Sequence, residues 1–181
     1  MSLLVAAVGD PPSLEAREPE THPLERHMGH WFEGSGDWRT PNPDHDAADG
    51  NDGVVEYSVT WAWDEFRQSM RGELVGLHPD GSRTTFWDLY AFYNPVTRDV
   101  LYLQIGRNGA YIEGRSPVRE QPLEFGETES LVTTMFQPDG SRITTRHDNV
   151  FHEDGTHSAD VYQLEDGKWR LVRTWHWTLA P

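Results

Sequence analysis

The chain has 181 residues, no cysteine and a net charge of −15, with thirty acidic residues set against fifteen basic ones. One domain fits that length, and it buries roughly 70% of the surface its unfolded chain exposes, so it needs no covalent staple. The absence of cysteine excludes disulfides, thiolate metal sites and thiol nucleophiles, while the charge opposes binding to nucleic acid or to anionic membrane surfaces.

Residues Leu3 to Val8 form a short apolar run with no basic segment before it, which matches neither a secretion signal nor a spanning helix. Residues 1–22 therefore read as a flexible leader, with a single barrel domain over 23–181 and a cytoplasmic location. Lys168 is the only lysine, and the acids are spread along the chain as a solvated surface. Such a surface suits a salt-rich cytoplasm, and stability that rises with molar salt is the expected sign.

A turn or two of helix is expected near Pro23-Leu24-Glu25-Arg26-His27, just before the first strand. From there the chain reads as strands over 30–38, 54–63, 66–77, 83–93, 99–107, 110–115, 123–136, 142–152, 157–164 and 168–179. These segments are rich in Val, Ile, Thr, Tyr, Phe and Trp. A polar loop over 39–53 is long enough to act as a flap over one end. The turns carry the strongest local signal. His78-Pro79-Asp80-Gly81-Ser82-Arg83 recurs almost unchanged as Gln137-Pro138-Asp139-Gly140-Ser141-Arg142. Asn108-Gly109, Glu153-Asp154-Gly155 and Glu165-Asp166-Gly167 add three more hairpin signatures. About ten strands joined by short loops favour an all-β, antiparallel up-and-down barrel, since closure removes unpaired edges; a β-sandwich is the alternative.

Entry to the first strand reads Gly29-His30-Trp31-Phe32-Glu33-Gly34-Ser35-Gly36. It resembles the G-x-W opening of lipocalins and the wider calycin barrels. The resemblance implies that Trp31 seals the barrel base and that Arg173 or Arg170 from the last strand packs across it. The spacing W-x-x-G-x-G is also similar to the start of nitrobindin-like haem-binding barrels and related uncharacterised bacterial barrels, which usually have one residue fewer between Trp and the first Gly. No motif around a histidine matches a haem ligand of those proteins.

Two registers are open for the last three strands. Simple hairpins at Asp154-Gly155 and Asp166-Gly167 would align His152, His157 and His176 in one row, and Asn149, Asp160 and Arg173 in another; a row of imidazoles suits Zn or Ni. A type I turn with a G1 bulge at each loop would flip strand 157–164 and dissolve the three-His row. The default is no metal site. Either register leaves Ile143, Thr145, His147, Asn149 and Phe151 on one face. It likewise leaves Trp169, Leu171, Arg173, Trp175 and Trp177 on one face of the last strand. These aromatic faces should point inward, with Trp31, Trp169, Trp175 and Trp177 as walls and His147, Asn149 and Arg173 as orienting groups. Trp61 and Trp63 share a face of the second strand. Glu56, Glu73, Asp88, Asp148 and Asp160 lie mid-strand, where an inward-facing acid would have a perturbed pKa. Nucleophile-elbow, phosphate-loop, dinucleotide and zinc-protease motifs are all missing.

The leading expectation is a binding barrel for a small apolar or flat molecule, with partners limited to that molecule or a second copy in a homodimer. Haem is its most testable special case, with His147, His157 or His176 as axial ligand. The alternatives are a cofactor-free isomerase or cyclase using the same cavity, and a barrel filled by its own side chains.

Overall fold

In the computed structural model, residues 21–33, 35–45, 53–65 and 68–181 are described. Residues 1–20 of the expected leader lie outside them. The His22 ring accepts a hydrogen bond from the Leu24 N–H, and Pro23 opens the first turn, so a short helix α1 (Pro23–Met28) starts here. A 3-10 turn (Gly29–Phe32) continues it. The G-x-W segment is therefore helical, and the strand expected over 30–38 begins only at Asp37. Leu24, His27 and Met28 share the buried side of the helix, which is spacing that suits a plug and not a pleat.

Ten strands follow: β1 (Asp37–Pro41), β2 (Glu56–Trp63), β3 (Ser69–Leu77), β4 (Arg83–Asn94), β5 (Asp99–Gly106), β6 (Tyr111–Pro117), β7 (Thr128–Phe136), β8 (Arg142–Phe151), β9 (Thr156–Glu165) and β10 (Lys168–Leu179). Each pairs antiparallel with its chain neighbour, and β1 also pairs with β10, so the sheet closes into an up-and-down barrel. The closing seam is thin: only Trp38 with Leu179 and Arg39 with Thr178 are in register there.

Both Pro-Asp-Gly-Ser turns form the same structure. His78 and Gln137 donate backbone hydrogen bonds to Ser82 and Ser141, and Asp80 and Asp139 each accept the N–H two residues on. Gly81 and Gly140 adopt φ of +82° and +85°, the left-handed bulge position a Cβ would strain.

The helix closes one end of the barrel. Leu24 and Met28 pack with Met70, Ala91 and Val100, and Trp31, Phe32, Trp61 and Trp63 close around them. A second cluster, centred on Trp38, Val59, Leu89, Leu123, Phe151 and Trp177, lines the wall above. The His30 Nε2 contact with the Leu123 carbonyl, at 2.7 Å, pins the β6–β7 connection to the plug. Strand β7 accordingly starts at Thr128 and not at 123. The two Pro-Asp-Gly-Ser turns lie at the opposite end, here called the mouth.

Candidate functional site

The strands enclose a cavity of about 420 Å³ between plug and mouth. Its walls are mostly aromatic and aliphatic: Trp31, Tyr57, Trp61, Trp87, Trp175 and Trp177 all face it. Polar groups occur at three levels.

Arg173 stands nearest the mouth. Its guanidinium makes a forked contact with Asp44 of the loop after β1, with Nη1 to Oδ2 at 2.8 Å and Nη2 to Oδ1 at 3.3 Å. It also covers the Trp175 ring at 5.0 Å. With 37% of its side chain exposed, Arg173 marks where cavity meets solvent. The described part of the expected flap thus reaches the mouth.

His147, Asn149 and His157 follow from the middle down toward the plug. Asn149 Oδ1 lies 3.1 Å from His157 Nε2, so the imidazole N–H donates to the amide carbonyl. The His157 ring stacks on Phe151 with centroids 4.3 Å apart, and Trp31 meets its edge at 4.9 Å. Burial in this apolar cage lowers its pKa from an ordinary 6.5 to about 3. Burial also lowers that of His147, whose Nε2 lies 3.3 Å from Thr145 Oγ1. Both imidazoles are neutral at physiological pH.

The third level, at the plug, contains a cluster that alternation did not reveal. His27 from α1, Tyr102 from β5 and Glu129 from β7 converge there. His27 Nε2 is 2.8 Å from the Tyr102 hydroxyl and 3.3 Å from Glu129 Oε1. Only the first contact has hydrogen-bond geometry, and Glu129 Oε1 is buried without a partner. Desolvation raises the Glu129 pKa to about 7, against the opposing pull of Arg119. Desolvation and Arg119 together lower that of His27 to about 4, and burial raises that of Tyr102 well above its usual range.

The acids singled out mid-strand lie elsewhere. Glu73, Asp88 and Asp148 are ion-paired with Arg83, Arg107 and Arg146, Glu56 approaches Arg39, and Asp160 accepts from Thr174. Glu129 was findable from the repeated turn. A G1-bulged turn at residues 137–141 places Glu129 opposite Asn149, and so on the inner face.

The register of the last strands mixes the two expected forms. At Asp154-Gly155 the turn is bulged: Gly155 has φ +77° and Phe151 pairs with His157. At Asp166-Gly167 both residues have positive φ, the type I′ hairpin, and Lys168 pairs with Glu165. His152 and His176 therefore face outward and His157 inward, so the three-His row does not form. Asn149 pairs with Ala159 and Asp160 with Thr174, so the second row also fails. Among the described residues no group of three or more His, Asp or Glu is placed to hold a metal.

A β-bulge between Leu171 and Arg173 makes a further correction. It inserts Val172 and reverses the faces of β10, so Arg173, Trp175 and Trp177 stay inward while Trp169 and Leu171 turn out. Trp169 shares the outer face with Tyr162, where the Arg146 guanidinium lies 4.3 Å from the Tyr162 ring and 5.4 Å from that of Trp169. Of the expected site residues, His147, Asn149, Arg173, Trp175, Trp177 and Trp31 line the cavity and Trp169 does not. The cation expected over Trp31 is also corrected. Arg173 is held by Asp44 and Arg170 by Glu165 at the far turn, and neutral His157 takes the place beside Trp31.

No helix among the described residues is long and apolar enough to cross a membrane. Comparison with protein-family models, with curated proteins and with solved structures gives no match.

Proposed function

We propose that the protein binds a small, flat, mainly apolar molecule inside the barrel, entering past Arg173 and Asp44. The observation that carries this reading is the cavity itself. About 420 Å³ of aromatic-walled space holds a few convergent polar groups, the composition of a small-molecule pocket. A barrel filled by its own side chains would leave no such space. A closed antiparallel barrel with Trp31 at its plugged end also supports kinship with the calycin-like barrels.

For haem, the choice of ligand narrows to His147, a neutral imidazole on the cavity wall. His157 is caged and bonded to Asn149, and His176 is outside. Arg173 would pair with a propionate, and the iron would supply diatomic-gas binding or redox chemistry.

The test is titration with 1-aminoanthracene, a flat uncharged fluorophore, read by quenching of tryptophan emission. Leu131 of β7, opposite His147, lines the cavity, so saturable one-site binding that Leu131→Trp abolishes, with the fold intact by circular dichroism, is the expected result. Binding unaffected by Leu131→Trp would place the probe elsewhere and reject the cavity. Native mass spectrometry identifies any retained ligand, and hemin added to protein and to His147→Ala tests the haem case by its Soret band.

A further inference from the structure

We propose that the plugged end of the cavity is a proton-transfer site, in which Glu129 is the base and Tyr102 the oxyanion donor for a flat, uncharged carbonyl compound. The inference rests on the cavity reading above and assigns it a reaction. Glu129 is the only acid among the described lining residues, whereas the mid-strand acids of the outer face have arginine or hydroxyl partners. A buried carboxyl with an oxygen left without a hydrogen bond costs stability, and such costs are borne where a group is used.

The neighbours of Glu129 define its working state. His27 and His30 face it from the helical segment, Tyr102 from β5, Arg119 and Glu127 from the β6–β7 connection, and Asn149 from β8. Arg119 is engaged by Glu127 at 2.6 Å. His27 stays neutral, and the pull of Arg119 only partly offsets desolvation at the carboxyl. A carboxyl poised near neutrality in an aromatic-walled space is a stronger base, once ionised, than an ordinary solvated carboxylate.

In the tautomer with its proton on Nε2, His27 donates to the Tyr102 oxygen. The tyrosine O–H is then free to donate into the cavity. Glu129 removes a proton from the carbon next to the substrate carbonyl, and the C–H electron pair becomes the enolate π bond. The developing oxyanion accepts the Tyr102 hydrogen bond. The carboxylic acid of Glu129 then returns the proton to the same or a conjugated carbon, so the net change is exchange or isomerisation with no co-reactant. His27 is a positioning residue.

The probe is 5-nitrobenzisoxazole, which is flat, uncharged and opened by a base that removes the C–H proton of its isoxazole ring. The C–H pair forms the nitrile, the N–O bond breaks and its pair leaves on the phenolate, which is coloured. Rates about a hundredfold above those of Glu129→Gln are expected. The value of kcat/KM should rise with pH to a plateau above about pH 7, set by Glu129 ionisation. Glu73→Gln, an outer-face control, should match the parent. Binding is measured separately with 6-nitrobenzotriazole, which cannot eliminate. If it binds but Glu129→Gln turns over as fast as the parent, or His147→Gln removes the activity instead, the assignment falls and the cavity reading stands. If it does not bind, the assignment falls, and the 1-aminoanthracene titration decides the cavity reading separately. Should Glu129→Gln not fold, a parent rate that merely tracks hydroxide, with no plateau, overturns the proposal.

Discussion

The two ends of the cavity each pair an acid with a base, and they do so in opposite states. At the mouth, Arg173 and Asp44 meet as a forked ion pair with 37% and 65% of their side chains exposed. At the plug, His27 and Glu129 lie 3.3 Å apart and almost fully buried, and both favour their neutral forms. Water decides the difference. Solvated charges cost little and gain little from pairing, whereas buried ones avoid ionisation by shifting their pKa. The mouth is thus suited to attraction and release, and the plug to donating or taking a proton.

The largest break in this contrast comes from the apolar cage at the plugged end. Phe151→Ala removes a buried ring that stacks on His157 and meets Trp31 and Trp38, and should cost about 3–5 kcal/mol in denaturant unfolding. Trp175→Ala, on a half-buried wall nearer the mouth, should cost about half as much.

Next in size is the pH response. Folded Glu129 holds a proton up to about pH 7, whereas unfolded it releases it near 4.5. Its contribution therefore falls as pH rises between those values and is level above. His157 and His27 act in the opposite sense. Unfolded, they take up protons below 6.5; folded, they resist to about 3 and 4, so stability falls as pH drops through that range. Relative to the parent, Glu129→Gln should gain about 3 kcal/mol between pH 4.5 and pH 8, read from urea midpoints. A difference that stays constant with pH would mean the carboxyl is solvated. His157→Gln should show the mirror image, destabilising at pH 7 and progressively less so toward pH 4.

Arg173→Ala should cost less than about 1 kcal/mol, because its ion pair is exposed. It should nevertheless speed release of 1-aminoanthracene in stopped-flow measurements by untying the loop at Asp44. The smallest effect belongs to Trp169→Phe. It weakens an outer-face contact with Arg146 worth roughly 0.5–1 kcal/mol and should leave probe affinity unchanged. A change in affinity would contradict the reversal of faces at Val172.

Much of the barrel was legible because its turns are chemically explicit. The two Pro-Asp-Gly-Ser repeats specify one geometry, and the expected strands from 54–63 onward correspond to β2 through β10. Legibility failed where one tripeptide permits two turns. Glu-Asp-Gly forms a bulged turn at Gly155 and a type I′ turn at Gly167, differing in whether the aspartate enters the left-handed region. Asp166 does, at φ +49°, and cross-strand pairing rather than the tripeptide selects that form. The Val172 bulge has no such signature, since Leu171 and Val172 both suit a regular strand, and so Trp169 was placed inside. His27 was read as part of a helical turn, but its approach to Tyr102 depends on how the helix docks across the barrel. That contact spans 75 residues and leaves no local trace.

The seam between β1 and β10 has a kinetic consequence. Every other strand pair joins neighbours in the chain, but this one joins segments about 140 residues apart through two residue pairs and the Ala180 N–H to Asp37 carbonyl bond. Loop-closure entropy makes such a contact late to form, and its small size makes it early to open. The barrel is therefore expected to complete itself as the last event of folding, like a clasp. In native-state hydrogen exchange, the Ala180 amide and the β1 amides that face β10 should lose protection through partial opening well before those of the β3–β4 hairpin.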